Sequence, residues 1–189
     1  MNRIVFVVGM PGSGKSIASD EFAKHGFSFL RFGQIVLDLV KKRGLRPGEE
    51  SEKLIREELR KKHGMAAMAL LNISKCDELL KASNVVGDGL YSWSEYKLLK
   101  EKYGDKMHVV AVYAPPEIRY KRLSERKAEN DPEMRFRPFS PEESKKRDYN
   151  EIEKVEKGGP IAMADFTIIN MGTIEELKLK IKDILLQIL

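Results

Sequence analysis

Residues Ile4-Val5-Phe6-Val7-Val8-Gly9-Met10-Pro11-Gly12-Ser13-Gly14-Lys15-Ser16 decide how the rest of the chain is read. The first five form a continuous apolar run rich in β-branched residues, the pattern of a strand buried on both faces. The next eight fit G-x-x-x-x-G-K-[ST] at every fixed position. Beyond them, Ile17, Ala18, Phe22 and Ala23 recur at helical spacing up to Lys24, and Gly26 stops the run. Strand, glycine loop and helix in that order build an anion site. Glycines let the loop curl until successive backbone N–H groups face one anion, and the helix N-terminus adds partial positive charge. Gly9, Pro11, Gly12, Ser13 and Gly14 shape the cradle, Lys15 reaches the β- and γ-phosphates, and the Ser16 hydroxyl suits Mg²⁺. A nucleoside triphosphate, ATP, with Mg²⁺ is the expected cofactor pair.

Reading outward, strands and helices alternate. Strands are predicted at 27–32, 85–86, 109–113 and 166–169. Helices are predicted at 34–42, 49–62, 65–82, 94–102, from Pro115-Pro116 to about Lys127, and over 142–157. The 49–62 helix shows a thin apolar stripe, Leu54, Ile55 and Leu59. The final helix opens on a capping box, Thr173 and Glu176, and places Ile174, Leu177, Ile181, Ile184, Leu185 and Ile188 inward. Residues 128–141 carry three prolines and no apolar period, so they read as a loop. The pattern is that of one α/β domain, residues 1–189, with a largely parallel sheet.

The chain has 189 residues and a formal net charge of +5. Its hydrophobic fraction of 42% is too high for a disordered chain, and its glycine and proline content excludes collagen-like or low-complexity classes. One cysteine, Cys76, cannot form an internal disulfide, which fits a reducing compartment. No apolar run approaches a bilayer-spanning length, so a cytoplasmic protein without a membrane partner is expected. His25, His63, His108 and Cys76 show no metal-ligand spacing.

The guanine-reading Asn-Lys-x-Asp motif is absent, and no predicted strand ends in an Asp-Glu pair. Both absences favour a small-molecule kinase. Gly9–Ser16, Gly87-Asp88-Gly89, the arginine helix from Arg119 and the terminal strand and helix fall in the order seen in P-loop nucleoside monophosphate kinases. The chain resembles adenylate kinase and its relatives, with dephospho-CoA kinase close by. It looks most similar to the small adenylate-kinase-related proteins of archaea, which share runs like 110–122 and 162–165.

That resemblance implies a P-loop NTPase fold with a five-stranded parallel sheet flanked by helices. It also implies a helical acceptor insert at about 33–83 and a lid at about 127–157. By position it implies that Asp88 lies near Mg²⁺ and the acceptor, holding the ion's waters or taking the acceptor's proton. Arg122 and Arg126, with Arg119 beside them on one helix face, and Arg135, Arg137 and Arg147 become candidates to clamp the transferring phosphate. Arg31, Gln34, Arg56 and Arg60 are candidates for the acceptor, and the loop at Asn170 lies near the adenine. Two departures stand out. Leu90-Tyr91-Ser92 follows the Asp-Gly where relatives tend to carry an arginine, and Gln34 stands where dephospho-CoA kinases tend to carry an aspartate.

An ATP-dependent phosphotransferase acting on a small anionic acceptor is the expected function. The alternative is a P-loop ATPase, or a nucleotide-dependent protein that binds RNA or another protein. The charge distribution weighs between them. Residues 41–62 hold nine basic and five acidic residues, and 119–148 hold ten and seven. These two stretches carry more than the whole net charge, and they are the presumptive insert and lid. Two basic jaws around a small polyanion explain the basic composition better than a nucleic-acid surface does.

Overall fold

The apolar run Ile4–Val8 is fully buried as strand β1 at the centre of the sheet. In the computed structural model, which describes residues 1–46, 48–126 and 138–189, the phosphate-loop helix α1 (Lys15–Lys24) follows it. Strand β2 (Ser28–Arg31) leads into three helices, α2 (Gln34–Lys42), α3 (Glu49–His63) and α4 (Ala67–Ala82). Then come β3 (Val85–Asp88), α5 (Trp93–Tyr103), β4 (Met107–Tyr113), α6 (Pro116–Ser124), α7 (Pro141–Glu153), the short α8 (Gly158–Ala162), β5 (Phe166–Ile169) and α9 (Ile174–Ile188). The strand order is β2-β3-β1-β4-β5 and every pairing is parallel. Parallel strands need crossover connections, and the intervening helices supply them on both faces of the sheet.

Alternation along β1 divides the core in two. Ile4, Phe6 and Val8 face a layer built from Phe32, Val36, Val40, Ile55, Leu99 and Met107. Val5 and Val7 face Phe22, Val110, Ile168, Leu177 and Ile181, so α1 and α9 cover that side. Phe6 and Gly87 are register partners. The Phe6 ring lies across Gly87 and meets Phe32 edge-on at 5.3 Å. A Cβ at Gly87 would stand 2.4 Å from the Phe6 ring. The glycine is thus a packing requirement as well as the entry to Asp88.

Several expectations need correction. Strand β3 runs on to Asp88, two residues past its apolar pair, because Gly87 and Asp88 still pair with β1 and β2. The polar helix expected over 142–157 ends at Glu153, and Lys157 leads into a separate helix. The chain breaks there because Glu156 takes a left-handed backbone conformation, φ 57°. Helix α6 ends at Ser124, short of Lys127. Ile55 is buried, but Leu54 is half-exposed, and the buried polar residue on that helix is Glu52. Ile174 is also half-exposed, since it sits at the first helical position, just past the Thr173 cap and above the packed turns. The expected loop over 128–141 falls largely outside the described residues.

Gly87→Ala should push a methyl into the Phe6 ring and cost about 1–3 kcal/mol. The expected result is a lower urea midpoint with an unchanged slope. A wild-type midpoint would mean that Phe6 moves aside freely.

Candidate active site

The glycine loop sits at the carboxyl end of β1, and its backbone is held from outside. Gly9, Gly12 and Gly14 have φ of 144°, 78° and 110°, which side chains strongly disfavour. Space forbids a side chain as well. A Cβ at Gly9 would lie 2.3 Å from the Val112 carbonyl, one at Gly12 2.6 Å from the Arg119 carbonyl, and one at Gly14 2.4 Å from Asn170 Nδ2. The loop's carbonyls are taken up by the protein. Met10 O accepts from Ser13 N at 3.2 Å and from Lys15 Nζ at 2.9 Å. Pro11 O accepts from Arg119 Nη1 at 3.0 Å, and Ser13 O from Asn170 Nδ2 at 2.7 Å. Helix α1 starts with no side-chain cap, so the amides of its first turn stay available to a ligand. The buried Ser13 hydroxyl has no partner among the described residues. Carbonyls tied outward and amides left open make an anion cradle. Pro11 is buried in its wall.

Arg119 was expected on the phosphate-clamping face. It is buried and committed elsewhere. Its guanidinium grips Asp148 of α7 in a two-point ion pair, Nη1–Oδ1 2.9 Å and Nη2–Oδ2 2.6 Å, while Nε donates to Ala114 O at 2.9 Å. The Tyr120 hydroxyl donates to the same carboxylate at 2.9 Å. Arg119 therefore braces the loop and does not face a ligand. Asn170 is likewise buried, and its side chain holds the loop. Arg122 differs, because its Nη1 is buried with no partner among the described residues, and burial lowers the guanidinium's affinity for its proton. Arg126 is half-buried just after α6. Arg135 and Arg137 lie outside the described residues.

Lys15 is held well below the usual lysine range, at about 7, first by burial and next by the Lys157 ammonium. Asp88 is buried at the end of β3, in register with Arg31 on β2. Ser16 and Asp88 are the oxygen donors at hand for a cation. Among the described residues no group of three His, Cys, Asp or Glu side chains could hold a metal by itself. Such a donor set suits Mg²⁺, which keeps waters and binds substrate phosphates.

Three groups that the sequence left in the background, Glu151, Lys157 and Tyr91, meet the candidate Arg147 here. Glu151 of α7 forms a close ion pair with Lys157 and also takes Arg147 Nε at 2.9 Å. The Lys157 ammonium lies 4.7 Å from the centre of the Tyr91 ring. Burial pushes Glu151 up, but Lys157 and Arg147 outweigh it and hold the carboxyl at about 2. One sequence signal was present, since Arg147, Asp148 and Glu151 share a helix face. The polar character of that helix disguised it as a solvated surface.

The acceptor-side candidates separate. The Gln34 amide turns back to Asp38 on its own helix at 2.9 Å, and Arg56 pairs with Glu52. Arg60 keeps a buried Nε without a partner among the described residues. Across from it, the fully buried Glu95 caps α5 by accepting from Tyr91 N and Ser92 N, and its Oε1 has no partner among those residues. Burial raises the Glu95 carboxyl to about 7 against the pull of those amides and of Arg60. Trp93 stacks on Tyr96 at 5.1 Å and is packing. Cys76 is buried, and its thiol is pushed up to about 11 by that burial.

A cavity of about 550 Å³ between α6 and α7 touches Met10 but not Lys15 or Asp88. It lies outside the phosphate cradle. Among the described residues no helix is long and apolar enough to cross a membrane.

The fold and loop define a P-loop kinase-type domain. Comparison with known proteins agrees. A family model described as an AAA domain matches residues 5–157. A UPF0200 protein of Thermococcus gammatolerans is 38% identical over 98% of this chain and 95% of its own length. The UPF0200 protein TK1334 of Thermococcus kodakarensis is 37% identical over 98% of both. The chain belongs to this UPF0200 family. Among solved structures, shikimate kinase from Acinetobacter baumannii in complex with shikimate superposes with a TM-score of 0.58 at 19% identity, covering 99% of this chain and 94% of that one. TT1252 from Thermus thermophilus gives 0.59 at 18%, covering 98% and 97%. At these identities the likeness is one of fold.

Arg119→Met should leave Asp148 buried without its cation and free the Pro11 carbonyl. The expected loss is about 3–5 kcal/mol of stability by chemical denaturation, with weaker nucleotide binding. Unchanged stability would show the brace to be idle. Glu95 gives a pH test. Its folded value lies above the unfolded one, so the folded state binds the extra proton between about pH 4.5 and 7. Stability should fall as pH rises through that window, by on the order of 2 kcal/mol. Glu95→Gln should flatten this slope in denaturation midpoints measured from pH 5 to 8.

Proposed function

We propose that this chain is an ATP-dependent phosphotransferase, moving the γ-phosphate of ATP to a small anionic acceptor. One observation carries the reading. The Pro11 and Ser13 carbonyls are held by Arg119 and Asn170, and the uncapped start of α1 and Lys15 share one end of the sheet with Asp88 and Arg31. A site that only held a nucleotide would not need a buried carboxylate and an arginine in register beside it.

The mechanism follows from the placement. The loop amides and Lys15 hold the β- and γ-phosphates. Ser16 would ligate Mg²⁺ and Asp88 would hold its waters, and the ion would supply charge neutralisation for the leaving group. An acceptor oxygen bonds to the γ-phosphorus as the bond to the bridging oxygen breaks, and that electron pair leaves with ADP. A hydroxyl acceptor passes its proton to Asp88. Arg122, with its unpartnered buried Nη1, is the described arginine best suited to an equatorial phosphate oxygen. Arg126 is a further candidate for that phosphate, as is Arg137, which lies outside the described residues. Arg31 and Arg60 face the acceptor, and the 170–172 loop receives the adenine through its backbone.

Lys15→Ala should fold normally, bind ATP at least about tenfold more weakly and turn over no acceptor. The check is calorimetry for binding and ADP release across a panel of nucleoside monophosphates, dephospho-CoA and simple metabolites. Wild-type turnover in the variant would sink the mechanism. Phosphate release by the wild type without any acceptor, stimulated by RNA, would replace the kinase with the ATPase alternative.

A further inference from the structure

Lys157 is nearly the most deeply buried charged side chain described, and the chain goes to some length to put it there. Helix α7 ends at Glu153, and the turn that follows forces Glu156 into the left-handed region, the one described non-glycine residue with positive φ. A glutamate is strained in that conformation, and its side chain is exposed. What the turn achieves is the inward direction of the next residue. Two residues on, Gly159 lets α8 press against Trp93. A Cβ there would lie 2.8 Å from the indole, so the docking of this segment is fixed by contact.

The lysine so placed is short of compensation. An ammonium has three donors. Among the described residues Glu151 is its hydrogen-bond acceptor, and the Tyr91 ring lies under its charge at 4.7 Å. Glu151 is itself shared with Arg147. One carboxylate thus serves two cations. Lys157 is also the charged group that acts most strongly on the Lys15 ammonium, ahead of Glu151, Asp88 and Arg147. Its ammonium lies over Tyr91, three residues past Asp88 at the carboxyl end of β3, the end of the sheet that carries the phosphate loop. A buried ammonium with one described acceptor for its three donors has room for a further anion.

We propose that Lys157 is a second phosphate-contacting cation of the site, paired with Glu151 when the site is free and turned to the γ-phosphoryl group when a nucleoside triphosphate is bound. The proposal rests on the nucleotide reading above. Lys157 makes and breaks no covalent bond. It adds a point charge where the terminal phosphate carries its negative charge, and Arg147 keeps Glu151 compensated when the lysine leaves.

The competing account is structural, a buried ion pair that merely joins α8 to α7. Two variants separate them. The measurement is binding of MgADP and of the Mg²⁺ complex of the non-hydrolysable β,γ-imido analogue of ATP, by calorimetry, with thermal unfolding alongside. Wild type is expected to favour the analogue over ADP. Lys157→Met should weaken the analogue by about tenfold and leave ADP within about twofold, because only the γ-phosphoryl group loses a contact. Glu151→Gln should lower the melting temperature yet bind the analogue at least as tightly as wild type, since the lysine is released to it. A structural pair predicts the opposite for Glu151→Gln, weaker binding of both nucleotides, and that result overturns the proposal even if Lys157→Met fails to fold. Equal loss of ADP and analogue in Lys157→Met overturns it too. A wild type that binds both nucleotides equally removes the proposal and leaves the nucleotide site standing. A wild type that binds neither sinks the nucleotide reading itself.

Discussion

The structure turns on the outward fixing of a few carbonyl oxygens. An eight-residue loop can show an anion its amides only if its carbonyls have partners elsewhere. Arg119 supplies one for Pro11, Asn170 one for Ser13, and Lys15 one for Met10. The first two partners come from distant elements, α6 and the turn after β5. The site is therefore a product of the whole sheet and cannot be built by the loop alone. Arg119 in turn depends on Asp148. A buried guanidinium without its carboxylate would be a liability far larger than one hydrogen bond. The two-point pair lets the loop be held by a charged group inside the protein.

Helix α7 gains its importance from this arrangement. Asp148 reaches the phosphate loop through Arg119, and Glu151, one turn on, reaches Lys157 and the Tyr91 ring. Arg147 closes the set on Glu151. A helix that is polar along most of its length thus carries a charged stripe into the protein, where each charge has a counter-charge. Helix α7, the phosphate loop and the turn after Asp88 are linked by polar contacts: the Arg119–Asp148 and Lys157–Glu151 ion pairs, the Arg119–Pro11 hydrogen bond and the Lys157 ammonium over Tyr91. Such links respond to an incoming polyanion, whereas a close-packed core does not.

The acceptor side is organised differently. Glu95 on α5 and Arg60 on α3 act on each other electrostatically, each with a buried atom unpartnered among the described residues, and burial raises the Glu95 carboxyl to about 7. Arg31 stands beside Asp88 in strand register. Gln34 and Arg56, equally plausible as letters in the chain, are engaged within their own helices. Position on an element did not distinguish these residues, but their neighbours across the cleft did.

The sequence alone determined the alternating sheet and the phosphate loop. These rest on local rules: a buried β-branched run, glycines where the backbone must curl, helical periods and a capping box that the structure reproduces at Thr173 and Glu176. Asp88 was legible because the Asp-Gly follows a strand. What only the tertiary structure decided is the use of each polar side chain. Arg119 reads as a phosphate clamp and braces the loop, the Asn170 side chain holds Ser13, Ile174 and Leu54 read as core and are half-exposed, and Lys157 reads as the tail of a polar helix and is buried. A charged residue has no periodic signature of burial, because its partner lies tens of residues away, 29 in the case of Arg119 and Asp148. Pairing across the fold is what separates a surface charge from one held inside.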